Sequence, residues 1–398
     1  MLTLDRVYQA AFTLKDVARK TDLICAQKLS SDNGLYLKTE NLQVTGSFKL
    51  RGAYYKISQL NEEQRAAGII ACSAGNHAQG VALAATQMGI KSVVCMPDGA
   101  PISKVEATKA LGAEVLLVPG AYDDAYEKAR KLQEETGATF IHPFDDEDVI
   151  AGQGTIGLEI LEQLSDVEVI IVPIGGGGLI SGVAFAVKQL RPDVKIYGVQ
   201  AENAPAVYES CAKGELVTLD SVSTFADGIA VKHPGDKTFE LISKYVDGIV
   251  TVTEDEIAVA VLALIEKQKL IAEGAGAVSV AAAISGKLPD IKGKKTVCLV
   301  SGGNIDVSIL SRVITRGLIS SGRKTTLQIA LEDKPGQLVG VSQLISKCGA
   351  NVVSVLHERS DANMPITSCI LKLGLETRDF AQIEEVKKAL TDAGFKIV

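Results

Sequence analysis

From Ser92 onward, short apolar, β-rich runs alternate with segments whose apolar residues recur at helical spacing. "SVVCMP" (Ser92–Pro97) precedes "ISKVEATKALG", "AEVLLVP" precedes "YDDAYEKARKLQEETG", and "TFIH" precedes "VIAGQGTIGLEILEQL". "EVIIVPIGGGG" then leads into "LISGVAFAVKQL" and "KIYGVQ", and "KTVCLVSGGN" (Lys295–Asn304) repeats the step from strand to glycine. Strands alternating with helices of this length predict βαβ units and parallel sheets, which bind ligands beyond the carboxyl ends of their strands. The glycine clusters fall at those ends.

The pattern changes at "GLISSGRKTT" (Gly317–Thr326), a short stretch of glycine, serine and basic residues. Beyond it, "TTLQIALEDKPGQL" reads as a strand, a turn and a helix start. "QLVGVSQLISKCG" is helical, "ANVVSVLHER" and "ITSCILKLGLET" are strands, "FAQIEEVKKALTDAG" is helical and "FKIV" is a last strand. That order, β-α-β-β-α-β, is a ferredoxin-like unit. The expected organisation is an α/β body over residues 1–318, with a small parallel-sheet subdomain (about 52–155) inserted in a larger one. A linker at 319–322 and a C-terminal domain at 323–398 complete it.

Composition narrows the function classes. The 398 residues are 46% apolar and 22% charged with a net charge of −7, as in a soluble globular protein of two or three domains. There is no basic tract to support a nucleic-acid partner, and no apolar run of membrane-spanning length. The start, "MLTLDRVYQAAFTLKDVARK", contains acids and an amphipathic pattern where a leader would have an apolar run, so a cytoplasmic location is expected. Seven cysteines, an odd count with no C-x-x-C pair, read as buried reduced thiols. The four histidines show no H-E-x-x-H or other ligand spacing, so no metal site is expected.

Candidate chemistry lies in the glycine-rich turns. In "IVPIGGGGLISG" (Ile171–Gly182) a buried strand runs through four glycines into a helix. Free amides at a helix N-terminus, unobstructed by side chains, suit a phosphate, whereas a merely flexible turn needs no such run. The spacing fails G-x-G-x-x-G and lacks the Lys-Ser/Thr of a Walker loop, which leaves a phosphate monoester. "CSAGNHAQG" (Cys72–Gly80) offers a second set of donors at a helix start, suited to a carboxylate, with His77 readable as a core or capping residue. "TGSFKLRGA" (Thr45–Ala53) places Lys49 just after an aromatic residue, where the plain alternative is a lysine facing water. A lysine, a monoester site and a carboxylate site together describe a pyridoxal phosphate enzyme acting on an amino acid.

With "GGGGLISG", "SAGNHAQG", "TGSFKLRGA", "EGAGA" (Glu273–Ala277) and "SGGN" (Ser301–Asn304), residues 5–318 resemble the serine/threonine dehydratase family of fold-type II pyridoxal phosphate enzymes. The resemblance implies pyridoxal 5'-phosphate as cofactor and Lys49 as its Schiff-base lysine, with Phe48 against the ring and Asn76 at the ring hydroxyl. It further implies Gly175, Gly176, Gly177, Gly178 and Leu179 at the phosphate, and Ser301 at the ring nitrogen. The substrate carboxylate would sit among Ser73, Ala74, Gly75, Asn76 and His77, with the freed Lys49 as general base. The implied reaction takes L-threonine to 2-oxobutyrate and ammonia, and L-serine to pyruvate. A hydroxyl opposite the ring nitrogen leaves the ring neutral and favours elimination over transamination.

Serine racemase is the nearest rival within the family. Racemase-type relatives carry serine where Ala74 stands, and acids where Gln200 and Ala206 stand, so both positions point to dehydration without racemisation. Other pyridoxal phosphate enzymes of β-elimination or β-replacement remain in-class alternatives, and an inert amino-acid sensor is a reading of another class. Residues 323–398 resemble an ACT regulatory domain through "EDKPGQL" and "GANVVSV". That resemblance implies an amino-acid effector contacted by Asp333, Gly336, Leu338 and Asn351, a homodimer or homotetramer, and, if the effector is isoleucine, a biosynthetic role. The plain alternative is a module for oligomerisation alone.

Overall fold

The computed structural model describes residues 2–30, 34–359 and 365–398. The chain forms two compact units, Met1–Leu310 and Ser311–Val398.

The first unit is built on two sheets. The larger runs in the order Leu23–Cys25, Gly34–Lys38, Lys295–Leu299, Val169–Pro173, Lys195–Ala201, Gly248–Val252. Only the pairing of its first two strands is antiparallel; the others are parallel. The smaller sheet, all parallel, has the order Glu114–Val118, Ser92–Pro97, Ile69–Cys72, Thr139–Phe140. Ile69–Cys72 and Val169–Pro173 are buried at every position, as strands with both faces covered must be. Ile170, Val172, Val297 and Leu299 of the larger sheet pack on Ile180, Val183 and Val187 of the helix Gly178–Leu190.

Glycines set how closely the helices approach. A Cβ at Gly52 would lie 2.4 Å from Gln153 Nε2, and one at Gly152 would lie 2.6 Å from Arg51 O. A Cβ at Gly182 would meet Ile150 O at 2.3 Å. The helices Lys49–Ser58, Glu147–Gln163 and Gly178–Leu190 therefore stack backbone to backbone. The first and third of these begin at the two motifs quoted above, so their close packing fixes the spacing between those motifs.

The second unit has the β-α-β-β-α-β order: Lys324–Glu332, Gln337–Lys347, Asn351–Glu358, Ser368–Glu376, Phe380–Asp392, Lys396–Ile397. Its sheet is antiparallel, in the order Asn351–Glu358, Ser368–Glu376, Lys324–Glu332, Lys396–Ile397. Alternate residues Leu327, Ile329, Leu331 and Leu371, Leu373, Leu375 pack on Val341, Ile345, Val386 and Leu390 of the helices.

Two expectations need adjusting. The division between units falls at Leu310, and the helix Val307–Ser320 runs on through the first two positions of the stretch read as a linker. All seven cysteines are free, but Cys25 and Cys211 are exposed and Cys348 is half-buried.

Candidate active site

At the carboxyl ends of the parallel strands, motifs far apart in the chain become neighbours. Gly46–Phe48 runs antiparallel to Ser301–Gly303. Ser47 and Gly302 form a bridge, Phe48 N–H donates to Ser301 O at 3.1 Å, and Gly303 N–H donates to Gly46 O at 2.9 Å. Gly46 has φ +70°, and a Cβ there would lie 2.3 Å from Asn304 Oδ1, so this approach requires glycine.

Lys49 is the first residue of its helix. Its Nζ donates to Pro143 O at 2.8 Å and lies 5.3 Å from the centre of the Phe48 ring. The surface-lysine alternative is thereby excluded. Burial pulls its pKa down to about 8, against the attraction of Glu273. The residue after Pro143 backs the glycine loop: a Cβ at Gly176 would sit 2.5 Å from the Phe144 ring, and one at Gly178 2.8 Å from Phe144 O.

The glycine loop joins Val169–Pro173 to Gly178–Leu190. Gly177 takes φ +99°, and a Cβ there would be 2.8 Å from both Thr238 and Ile242. Thr238 Oγ1 donates to Gly176 O at 2.6 Å and fixes the turn from behind. The first-turn amides of the helix have no intrahelical acceptor, and they carry the positive end of its dipole. With Gly178 and Leu179 opening that helix, the loop is an anion cradle.

The Ser73–His77 turn links Ile69–Cys72 to the helix Asn76–Gln87, and Gly75 N–H donates to Ser73 Oγ at 3.2 Å. Asn76 Nδ2 donates to Glu273 Oε1 at 2.6 Å, while Asn304 Nδ2 donates to both Asn76 Oδ1 and Thr45 O at 2.8 Å. Gly228 lies between these groups and the glycine loop: its Cβ would be 3.5 Å from Glu273 Oε1, and its carbonyl would be 3.3 Å from a Cβ at Gly175. The contacts close a circuit from Lys49 through Pro143–Phe144, the glycine loop, Gly228, Glu273, Asn76 and Asn304 back to Thr45 and Ser301. Ala74 adds no side-chain donor to it.

Electrostatics within the circuit follow from burial. Glu273 is pushed up to about 7 by burial, with the charge of Asp227 adding to the shift. His77 Nε2 lies 2.9 Å from Ile141 O, which assigns the proton to Nε2. Burial and the nearby Lys49 hold His77 at about 3, so it is neutral. His142 is held at about 4, chiefly by burial, and its Nδ1 accepts from Asp145 N–H at 2.8 Å.

Several of these residues escaped the reading of the sequence. Glu273 and Asn304 lie in quoted motifs that had been given no role. Pro143 acts through a backbone carbonyl, which leaves no residue signature. Beside them is a cavity of about 230 Å³ lined by Lys104, Phe225, Asp227, Glu273, Asn304 and Ile305. It is bridged by the Lys104–Asp227 ion pair and by Ser103 Oγ donating to Asp306 Oδ2 at 3.2 Å. Also unforeseen is the buried network behind Lys49. Arg51 pairs with both oxygens of Glu40 at 2.8 and 2.9 Å and both of Glu159 at 2.6 and 3.0 Å, and Lys38 Nζ reaches Glu159 Oε2 at 2.6 Å. This clamps the first turn of the helix that carries Lys49.

In the C-terminal unit the four expected effector residues separate. Asp333, Gly336 and Leu338 lie at the turn into Gln337–Lys347, where Gly336 has φ +93° and Leu338 is exposed. Asn351 sits at the other end of the sheet, opposite Glu376, to which its Nδ2 donates at 2.9 Å. Glu376 in turn pairs with Lys324, the first residue of the strand whose far end leads to Asp333. Within one chain the structure does not bring Asn351 to the other three.

The donor set suits pyridoxal phosphate: an amine of lowered pKa, a phosphate cradle and amide donors converge on one place. The buried hydroxyls of Thr45 and Ser47, and His77 Nδ1, also lack hydrogen-bond partners among the described residues. Among the described residues Ser301 Oγ reaches only Ala275 O, at 3.4 Å.

Comparison with known proteins gives the family. The chain is 52% identical over its whole length to an L-threonine ammonia-lyase of Thermotoga maritima, covering 99% of that protein. A solved structure of threonine deaminase isoform 2 from Solanum lycopersicum superposes with a TM-score of 0.75 at 41% identity, covering 78% of this chain and 88% of that one. Maize serine racemase superposes with a TM-score of 0.75 at 34% identity, covering 80% and 98%. Residues 14–303 match the family model described as pyridoxal-phosphate dependent enzyme. With that match across most of the chain, and the amine, cradle and donors in one place, the protein belongs to the pyridoxal-phosphate dependent enzyme family.

Proposed function

We propose that the protein is an L-threonine ammonia-lyase, converting L-threonine to 2-oxobutyrate and ammonia and L-serine to pyruvate. The observation that carries this reading is the closed circuit joining Lys49, the glycine loop, Asn76 and Ser301. When bound, pyridoxal phosphate supplies an electron sink for the bond broken at the substrate's α-carbon. Gly175, Gly176, Gly177, Gly178 and Leu179 would hold its phosphate, Lys49 its aldehyde carbon, Phe48 its ring and Asn76 its ring hydroxyl. Ser301 would meet the ring nitrogen with a neutral hydroxyl.

The turn Ser73–His77 binds the substrate carboxylate through amides at a helix N-terminus. The Lys49 amine, lowered to about 8, is neutral in a useful fraction near neutral pH and takes the α-proton. The β-hydroxyl departs as water, with the proton that Lys49 has gained returned to it, and the enamine product hydrolyses to the oxo acid and ammonia. Glu273, divided between its two protonation states at neutral pH, keeps Asn76 oriented.

Likeness to serine racemase supports a second reading, but Ala74 has no proton to deliver to the opposite face of the α-carbon. L-serine should therefore yield no D-serine.

The C-terminal unit reads as an ACT domain that binds an amino acid and regulates the enzyme. The strand Asn351–Glu358 lies at the edge of its sheet and is exposed along most of its length. Two copies pairing antiparallel along it would bring Asn351 of one to the Asp333, Gly336 and Leu338 turn of the other. The assembly is then a dimer or tetramer, isoleucine as effector makes the enzyme biosynthetic, and its location is the cytoplasm.

The test is 2-oxobutyrate formation from L-threonine, with and without isoleucine. Turnover suppressed by isoleucine supports the lyase and its regulation together. Turnover indifferent to isoleucine removes the biosynthetic reading, and a cofactor-loaded protein that does not turn over removes the lyase.

A further inference from the structure

Three side chains with metal-binding chemistry meet at one end of the C-terminal sheet. Asp333 follows the strand Lys324–Glu332, His357 belongs to Asn351–Glu358, and Cys369 belongs to Ser368–Glu376. The strand register explains the meeting. Cys369 pairs with Leu331, His357 pairs with Leu371, and Asp333 N–H donates to Thr367 O at 2.8 Å. Since alternate residues of a strand share a face, all three stand on one face, diagonal to one another. His357 Nε2 lies 2.9 Å from Cys369 Sγ, and the ligand atoms of the three residues all lie within 4.8 Å of one another. Sequence spacing carries no sign of this grouping, because the side chains are gathered by the register of neighbouring strands.

We propose that Asp333, His357 and Cys369 form a three-ligand site for a zinc-class divalent ion, with the fourth position open. The donors decide the class. A thiolate and an imidazole select zinc and its neighbours, whereas magnesium and calcium take oxygen ligands. The carboxylate and thiolate together balance the two positive charges of the ion. Metal–sulfur bonds of about 2.3 Å and metal–nitrogen or –oxygen bonds of about 2.0–2.1 Å set the ligand atoms roughly 3.3–3.6 Å apart in a tetrahedral site. His357 and Cys369 therefore part slightly and the Asp333 carboxylate closes in.

The surroundings permit this. Cys369 is buried beside Leu331 and Leu371, on a strand paired along both edges, so its sulfur is fixed. Asp333 and His357 are exposed and can adjust their rotamers. On binding, the Cys369 thiol proton is released to the buffer as the metal–sulfur bond forms, and His357 offers the lone pair of Nε2 while holding its proton on Nδ1. Arg359, whose Nη2 lies 3.0 Å from Asp333 Oδ1, competes for the carboxylate. Asp333 leads into the turn that carries Gly336, so an ion held by its carboxylate would brace the start of that turn.

The experiment is a Co2+ titration of the full-length, cofactor-loaded protein after treatment with a chelator. The expected result is one equivalent bound per chain, with a thiolate-to-cobalt charge-transfer band in the near ultraviolet and release of about one proton per ion. Zn2+ should displace the cobalt and bleach the band. Cys369→Ser should abolish the band, His357→Ala should weaken binding at least tenfold, and Arg359→Gln should tighten it. An unchanged far-ultraviolet circular dichroism spectrum and unfolding profile in each variant would show that the C-terminal unit is folded. Absence of the band at one equivalent would overturn the proposal. So would an undiminished band in Cys369→Ser, since the thiol would then be one of the exposed ones, Cys25 or Cys211.

Discussion

The two units differ in where they place a charged network and where they leave an open strand edge. The N-terminal unit takes charge inside: Arg51, Glu40 and Lys38 are buried to within 1% of full occlusion, each satisfied by the others or by Glu159. The C-terminal unit leaves apolar surface outside, with Val353, Val355 and Leu356 of its edge strand 45%, 51% and 54% exposed. A buried ionic network costs desolvation and fixes one geometry, which suits a site that must hold a lysine in place. An exposed apolar edge strand is a surface still to be covered. One unit closes its charged network within a single chain, and the other leaves an edge that the proposed second copy would cover.

The largest expected effect tests the first unit at its centre. Lys49→Ala should lower threonine turnover by at least about 10³-fold, since both the cofactor's anchor and the base are lost. Isoleucine binding, measured by calorimetry, should be unchanged, because the proposed effector surface lies in the other unit. Loss of both activities together would break the comparison.

The next effect is on stability. Arg51→Met removes the cation from between two carboxylates, one of them fully buried, and should cost about 3–5 kcal/mol. Arg51 holds Glu40 well below the usual carboxylate range despite its burial, so the variant would leave a strained acid behind. The measurement is thermal unfolding followed by cofactor absorbance. A double variant that also carries Glu40→Gln should recover part of the loss. An Arg51→Met protein as stable as the parent would mean that the network is not what fixes Lys49.

Acid should act on the first unit in the same direction. His77 is neutral in the folded protein, with its pKa lowered from 6.5 to about 3. As pH falls below 6.5 the unfolded chain gains a proton that the folded chain does not, so stability falls; the loss continues until the pH reaches about 3. By pH 5 the His77 contribution amounts to about 2 kcal/mol, and His142, held at about 4, adds to it. Glu273 works oppositely. With its pKa raised from 4.5 to about 7, its penalty is absent below pH 4.5 and grows as pH rises toward 7. His77→Asn should flatten the acid limb of a plot of unfolding midpoint against pH, and an unchanged limb would mean that His77 is not kept neutral.

The comparison also shows what a sequence can express. The β-α alternation and the glycine loop are legible because a buried parallel strand must be apolar throughout, and a helix start that holds an anion must be free of side chains. The short antiparallel pair Leu23–Cys25 and Gly34–Lys38, and the strand Gly248–Val252, gave no such signal, being brief or half-buried. Lys49 and Ser301 were legible as motifs, but their adjacency comes from a bridge between Ser47 and Gly302. The Arg51 network stayed hidden because its partners lie 11 and 108 residues away and look like surface acids. The Asp333, His357 and Cys369 cluster is set by strand register alone, and local spacing carries no trace of that.

The smallest effect on the fold is the sharpest test of the second unit. Val355 pairs with Leu373, whose side chain lies in the core, yet Val355 itself is half exposed at the open edge of the sheet. Val355→Lys should therefore change the stability of the single chain by no more than about 0.5 kcal/mol, as surface substitutions do. A charge on an edge strand, however, opposes the addition of another strand. Sedimentation should then show a smaller assembly, and the isoleucine response should weaken because Asn351 of one copy no longer reaches the Asp333 turn of the other. Catalysis at low threonine should persist, since the site circuit closes within one N-terminal unit. If Val355→Lys keeps both its assembly and its response, the exposed edge is not the surface that a second copy covers, and the contrast between a complete unit and an incomplete one fails at that strand.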